Sequence, residues 1–250
     1  MDNHQCPNAG SSDFAVDTWI NQYASPISAR LNTLAPGSNL TQADIYGLQL
    51  ICPFESIAHI SHSPFCDLFS ESEFGSFEYV ADLDKFYGTG YGQGLGRVQG
   101  VGYVNELLAR LMGRSVRDGT QTNRTLDEDA ESFPLGRGIY ADFSHDNEMV
   151  AIFSAMGLFV QRGALDPSEP DEGRTWYASR MVPFGSRMVV EKLVCEGGEY
   201  VRVLVNDEVQ PLEFCGGEGL CEIGAFVESQ SYARNNGEGD WEACFDDATI

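Results

Sequence analysis

The chain has 250 residues, 42% of them hydrophobic, which predicts one large or two modest globular domains with a sizeable core. It contains no run of eighteen apolar residues, so no membrane-spanning helix and no membrane partner are predicted. Its 38 acidic residues against 15 Lys and Arg give a net charge of −23, which argues against a nucleic-acid partner because phosphate backbones are bound by clustered Lys and Arg.

The first half of the chain is predicted to be mainly helical. Residues 1–12 indicate an irregular entry. Apolar spacing, capping residues and stop signals predict helices at 13–34 with a break or a kink at Pro26, from Thr41 to near Pro53, after Ser70, and from Val98 to Met112 before Gly113.

The glycine-dense segment from Gly88 to Gly102 can be fitted to a dinucleotide-binding motif. That motif needs a strand before it and an acidic residue about twenty residues after it. The residues before Gly88 have helical spacing, so we expect instead a loop that packs closely against other backbone.

The second half mixes strands and helices. The predictions are a polar surface loop at 114–135, a buried strand at 139–143, a helix from 146, a polar loop at 161–179, strands at 186–196 and 199–212 joined by Gly197-Gly198, and a short helix at 223–232. Helices followed by mixed elements favour an α/β or α+β fold.

The seven cysteines have spacing that is typical of disulfides. Two close pairs, Cys52/Cys66 and Cys215/Cys221, lie in loops, and Cys6 and Cys244 lie near the two ends. This pattern and the glycosylation sequons at Asn39 and Asn123 predict an oxidising, extracellular compartment. The first residues lack the features of a signal peptide and one cysteine is left over, so we expect an upstream part.

Two histidine motifs are candidates for chemistry. His59 and His62 have a spacing that could hold a metal, but no third ligand accompanies them, and we predict no metal. His145-Asp146 lies between the predicted strand and the next helix, where a phosphate and a proton could be handled. In the simpler interpretation, Asp146 or Ser144 only caps that helix.

Several longer motifs around His145-Asp146 resemble those of a known family. In chain order they are SPFCDLF, KFYGTGYGQGLGRVQGVGYVNELLARL, NRTLD, FPLGRGIYADFSHDN, VPFGSRMVVEKLVCE and VRVLVNDEVQPL. Together they resemble the C-terminal half of fungal phytases in the histidine acid phosphatase family, from about Cys6 to Phe245. The resemblance implies a phosphoglycerate-mutase-like α/β fold, incomplete in this chain. Residues 1–250 would be its C-terminal part, with a helical part at about 40–95 and an α/β part at about 96–250.

The resemblance also implies an activity. The protein would be a secreted acid phosphomonoesterase of phytase type that needs no cofactor. Asp146 would be the general acid, His145 would bind the phosphoryl group, and Lys85 and Asn147 would bind substrate. The implied disulfides are Cys6–Cys244, Cys52–Cys66 and Cys215–Cys221, with Cys195 paired to a residue outside the chain. The substrate would be a phosphate monoester, with phytate as one possibility and a broader acid phosphatase as the other, because Asp84 and Thr89 depart from the family pattern.

One family motif is absent from this sequence. The family's nucleophilic histidine lies in Arg-His-Gly, and no histidine of this chain precedes a glycine. We therefore expect a truncated gene model or one part of a split or processed enzyme, inactive alone, whose partner is the missing N-terminal half. The alternative is a non-catalytic, degenerate secreted relative.

Overall fold

The computed structural model of the protein describes residues 6–246. Its long helices are α1 Asp13–Leu34, α2 Gln42–His59, α3 Glu71–Gly88, α4 Val101–Met112 and α6 Asp146–Met156. The shorter helices are α5 Arg124–Asp127, α7 Ala178–Met181, α8 Ile223–Ser229, α9 Ser231–Arg234 and α10 Asp240–Ala243. Residues 6–12 are irregular, as predicted, and residues 1–5 lie outside the described part.

Helix α1 continues through Pro26, so of the two predicted outcomes, a break or a kink, the break does not occur. Its buried face extends on both sides of the proline, with Trp19 and Tyr23 before it and Ile27 and Leu31 after it. Each of these side chains contributes about 1.5–3 kcal/mol when buried, and together they outweigh the roughly 3 kcal/mol that a proline costs inside a helix.

Helix α2 starts where predicted but ends later. Thr41 and Asp44 form a reciprocal capping box at its start. The helix then runs past Pro53 to His59, and the prediction of an end near Pro53 is wrong. The disulfide Cys52–Cys66 ties this part of the helix to the 3-10 turn Pro64–Leu68, which holds the backbone around the proline in place.

The glycine-dense segment makes close backbone contacts, as predicted. A Cβ atom on Gly96 would lie 2.4 Å from the carbonyl oxygen of Gly90, and one on Gly100 would lie 2.4 Å from that of Ala151. Only glycine fits at such distances. Gly100 therefore lets the turn before α4 lie directly against the backbone of α6.

The second half contains a small antiparallel sheet of β1 Met188–Cys195, β2 Gly198–Val205, β3 Glu208–Val209 and β4 Cys221–Glu222, in which β2 pairs with the other three. The hairpin of β1 and β2 confirms the predicted pair, but its turn is Glu196-Gly197, and Gly198 already belongs to β2. Both turn residues have positive φ, of 50° and 84°, which suits a two-residue hairpin. The predicted strand 199–212 is also divided, because Asn206 and Asp207 form a second turn with positive φ.

The predicted buried strand at 139–143 is wrong. These residues are irregular and pair with no strand of the described part of the chain, and Ile139 and Phe143 are 86% and 99% exposed. An apolar run becomes a buried strand only where a neighbouring strand pairs with it and a core covers it. The segment is anchored to α4 instead, because Arg110 donates a 2.5 Å hydrogen bond to Asp142.

The two polar loops differ in how they pack. Residues 114–135 lie mainly on the surface and include the short helix α5. The loop at 161–179 is polar in sequence but inserts Trp176, which is fully buried, beside α3. Arg174 of the same loop donates a 2.8 Å hydrogen bond to the buried Asp82 of α3. This loop therefore covers the helix that carries Lys85.

The three disulfides are Cys6–Cys244, Cys52–Cys66 and Cys215–Cys221, the pairing that the resemblance implies. Cys195 is free and exposed at the end of β1. The sequon residues Asn39 and Asn123 are exposed. Within residues 6–246, no helix has the length and apolar character needed to cross a membrane. The division into a helical part at about 40–95 and an α/β part at about 96–250 stays a prediction.

Candidate active site

His145 and Asp146 lie at the N-terminus of α6. His145 is the N-cap residue, Asp146 is the first helical residue, and both are exposed. Neither Asp146 nor Ser144 is therefore the N-cap residue, and the His145 side chain makes no capping hydrogen bond. The Asp146 carboxylate nevertheless accepts a 2.9 Å hydrogen bond from the backbone N–H of Asn147 in the first turn. The first turn of a helix has free N–H groups and a partial positive charge, which suit an anion.

The position of this helix end is fixed by the rest of α6. All seven residues from Val150 to Met156 are buried. Arg97, in the turn before α4, also donates a 3.2 Å hydrogen bond from its Nε to the carbonyl oxygen of Ser154. Together with the close contact at Gly100, these interactions fix the position of α6, and its first turn faces solvent.

The third and fourth predicted residues, Lys85 and Asn147, join the same site. Lys85 lies in the last turn of α3 with its side chain 11% exposed, and its Nζ is 2.7 Å from Oδ2 of Asp146. The same Nζ donates a 2.6 Å hydrogen bond to Oδ1 of Asn147. The fold thus brings Lys85 to two residues that follow it by 61 and 62 positions.

Two further residues complete this group, and sequence analysis assigned neither of them to the site. Nζ of Lys85 also lies 3.1 Å from Oδ2 of Asp84, and Oγ of Ser12 donates a 2.8 Å hydrogen bond to the other carboxylate oxygen of Asp84. Asp84 is adjacent to Lys85 in sequence and was noted there only as a departure from the family pattern. The contribution of Ser12 has no local signal, because it comes from 72 residues away.

The two charges at the centre of the site stabilise each other. Burial disfavours the ammonium of Lys85, but the nearby carboxylates of Asp146 and Asp84 outweigh it and raise its pKa. Partial burial likewise disfavours the carboxylate of Asp146, but the hydrogen bond and charge of Lys85 outweigh it, so the pKa of Asp146 is lowered. In the unliganded protein, Lys85 and Asp146 therefore form an ion pair.

The other histidine motif does not form a comparable site. Nε2 of His62 lies 2.8 Å from Oδ1 of the exposed Asp67, and His59 is exposed near the end of α2. Over residues 6–246, no group of three or more His, Cys, Asp or Glu side chains is arranged to hold a metal ion. A pocket of about 360 Å³, lined in part by Arg117, Arg124 and Arg234, also contains none of the predicted site residues.

The sequence of the chain matches the model of one protein family. The family described as the histidine phosphatase superfamily, branch 2, matches residues 1–206. This chain belongs to that superfamily.

Named relatives are fungal phytases. The chain is 42% identical over 251 aligned residues to Phytase A of Arthroderma benhamiae, covering 95% of this chain and 55% of that protein. It is 44% identical over 230 residues to Phytase A of Emericella nidulans, covering 88% and 49%. The crystal structure of the phytase from D. castellii superimposes with a TM-score of 0.73 and 24% identity, over 91% of this chain and 46% of that one, which supports the fold. The chain thus spans about half the length of the relatives that it matches.

Proposed function

We propose that this chain supplies the general-acid part of a secreted phosphomonoesterase of phytase type. The observation that carries the proposal is the ion-paired carboxylate of Asp146 at the first turn of α6, 2.7 Å from Nζ of Lys85. A helix N-terminus, a cation and a carboxylate meet there on an open surface. These are the groups that binding a phosphate ester and protonating its leaving group require.

In the proposed reaction, a nucleophilic histidine attacks phosphorus and its electron pair forms the new P–N bond. As the P–O bond to the leaving group breaks, Asp146 transfers its proton to the departing oxygen, so that an alcohol leaves. Water then attacks the phosphohistidine and gives a proton to Asp146, the P–N bond breaks with its electron pair returning to the histidine, and inorganic phosphate leaves. His145 and the N–H groups of α6 would bind the phosphoryl oxygens, on which negative charge develops.

The protonation state of Asp146 makes this reaction dependent on acidic pH. Lys85 holds the carboxylate in its ionised form in the unliganded protein, and an ionised carboxylate has no proton to donate. A bound phosphate ester brings negative charge close to Asp146, which favours the protonated form. We therefore expect turnover on the acidic side of neutrality.

The nucleophile would come from a part of the enzyme outside this chain. No Arg-His-Gly sequence occurs in the chain, which covers about half of each relative. The apolar segment at 139–143 ends two residues before His145 and exposes Ile139 and Phe143. These features support a missing N-terminal half that would cover this segment, and the chain alone would then be inactive.

An extracellular location is part of the proposal. The disulfides, with Cys6 and Cys244 joined across 238 positions, are stable in oxidising surroundings. The exposed sequon residues Asn39 and Asn123 are available for glycosylation.

The substrate would be a phosphate monoester such as phytate, with Lys85 and Asn147 at the side of the site next to Asp146. A broader acid phosphatase is the other possibility. It is favoured by Asp84, whose carboxylate lies beside Lys85 and would repel an additional phosphate group. Hydrolysis of phytate compared with a simple alkyl phosphate distinguishes these two substrate ranges.

A non-catalytic relative is the alternative function, and the absent Arg-His-Gly motif favours it. The two proposals are separated by the intact mass and N-terminal sequence of the deglycosylated native protein, combined with an assay of phosphate release at acidic pH. We expect a native protein well above 27.4 kDa that carries an upstream Arg-His-Gly segment and releases phosphate. A native product that starts at Met1, without a companion chain and without turnover, would contradict the enzyme proposal.

A further inference from the structure

The ammonium of Lys85 has a complete set of partners within the protein. A lysine ammonium has three N–H donors. The described partners of Lys85 are three acceptors, namely Oδ2 of Asp84 at 3.1 Å, Oδ2 of Asp146 at 2.7 Å and Oδ1 of Asn147 at 2.6 Å. The protein thus supplies one acceptor within reach for each of the three N–H groups of the ammonium, as one hydrogen bond to Asn147 and two ion pairs.

The immediate surroundings of the ammonium hold it in this position. The side chain of Lys85 is 11% exposed, while those of Asp84 and Asp146 are 44% and 54% exposed. The cation is therefore more enclosed than the carboxylates that it binds. Ser12 fixes Asp84 through its own hydrogen bond, so Asp84 is held where it can orient Lys85.

We infer that Lys85 is a positioning residue, which holds the carboxylate of Asp146 and the amide of Asn147 in place at the start of α6 through a saturated ammonium. This inference rests on the proposed function, since it assigns a role within the proposed site. A substrate phosphate can reach Lys85 only by displacing one of its three partners. The primary effect of Lys85 is therefore on the proton affinity and orientation of Asp146, and a contact with substrate is secondary.

Other charged groups near Asp146 have to be considered with Lys85. On α6 these are His145, directly before Asp146, and Glu148, whose charge interacts with His145. On α3 the nearby charge is Asp84, and Tyr46 of α2 interacts electrostatically with both Asp84 and Lys85. Lys85 is the only cation among the groups described as acting on Asp146, so its removal should dominate the titration of that carboxylate.

The test is the titration of the Asp146 side-chain carboxyl carbon by NMR in the 250-residue chain, without substrate. The chain contains only two lysines, and Lys192 is a matched control because its Nζ also pairs with a carboxylate, that of Glu199 at 2.8 Å. We expect Lys85→Met to shift the Asp146 midpoint to higher pH and to change the side-chain amide signals of Asn147. Lys192→Met should change neither.

A second variant should shift the titration midpoint of Asp146 in the opposite direction, and it provides a test if Lys85→Met does not fold. Asp84→Asn keeps the ammonium but removes a competing carboxylate, so Lys85 should pair more strongly with Asp146 and shift its midpoint to lower pH. An Asp146 midpoint that is unchanged in a folded Lys85→Met protein, or that rises in Asp84→Asn, would overturn the inference. The titration requires no turnover, so its result is independent of whether the proposed phosphatase activity is found.

Discussion

The position of the candidate site depends on the close contact between Gly100 and α6, and Gly100→Ala tests it. Gly100 has a φ of −99°, which any residue can adopt, so the substitution introduces no backbone strain of its own. The added Cβ would lie 2.4 Å from the carbonyl oxygen of Ala151 and 2.6 Å from the backbone nitrogen of Ile152. These are backbone atoms of a buried helix, which cannot rotate away as a side chain would.

The loss of stability follows from how far α6 has to move to make room for the added Cβ atom. Moving the closest pair from 2.4 Å to an ordinary contact of 3.4 Å requires α6 to shift by about 1 Å relative to the turn before α4. Overpacking of this kind costs about 1–3 kcal/mol, and two backbones in contact place Gly100→Ala near 3 kcal/mol. For a chain of this length that corresponds to a fall in melting temperature of about 6–12 °C.

The assay is urea and thermal unfolding followed by circular dichroism, with Gly94→Ala as the matched control. Gly94 belongs to the same glycine-dense segment, but a Cβ there would meet nothing within 4 Å. Alanine at that position should leave stability unchanged or raise it slightly, because it restricts the unfolded chain. If Gly100→Ala and Gly94→Ala were equally stable, the close packing of α6 against the turn before α4 would be refuted.

Two further predictions concern stability. Burial raises the pKa of Asp82 from 3.8 to about 6, despite hydrogen bonds from Ala178 and Arg174. The folded state therefore binds this proton more tightly than the unfolded state, which stabilises the fold by about 3 kcal/mol below pH 4. That contribution is lost as the pH rises through 6. Urea unfolding between pH 4 and 7 should therefore show a flatter pH dependence for Asp82→Asn than for the wild type, and parallel curves would contradict this. A Cys6→Ser, Cys244→Ser double variant removes the disulfide that closes a loop of 238 positions, whereas Cys52–Cys66 closes one of 14 positions. Because a longer loop restricts the unfolded chain more, the free energy of unfolding should fall by about 5 kcal/mol without Cys6–Cys244 and by about 3 kcal/mol without Cys52–Cys66. The reverse order in chemical unfolding would show that the long-range link does not constrain the unfolded chain.

Local sequence signals predicted most helices and the hairpin, and their failures have physical causes. Capping by Thr41 and the stop at Gly113 were confirmed, because both depend on residues within one turn of the helix end. The break considered at Pro26 and the helix end predicted near Pro53 do not occur, because burial and a disulfide outweigh the local cost of a proline. The strand at 139–143 was wrong because pairing depends on a neighbour, which the residues themselves cannot specify.

The candidate site was predictable in part. His145 and Asp146 were found from an abrupt change between apolar and polar residues and from a family resemblance. That Lys85 contacts both Asp146 and Asn147 could not be read locally, because α3 and α6 meet through the fold. The role of Ser12 is the extreme case, since one hydrogen bond to Asp84 is its only described link to the site.

The most direct test of the account is the effect of Asp146→Asn on two substrates, measured with the complete native enzyme. A general acid matters most when the leaving group is a poor one, so an alkyl phosphate should lose about 10²–10⁴-fold in kcat/KM. An aryl phosphate with a strongly acidic phenol leaves without protonation and should lose far less. That difference is the result the account predicts, whereas an equal loss on both esters, or no loss on either, would contradict the assignment of Asp146 as the acid.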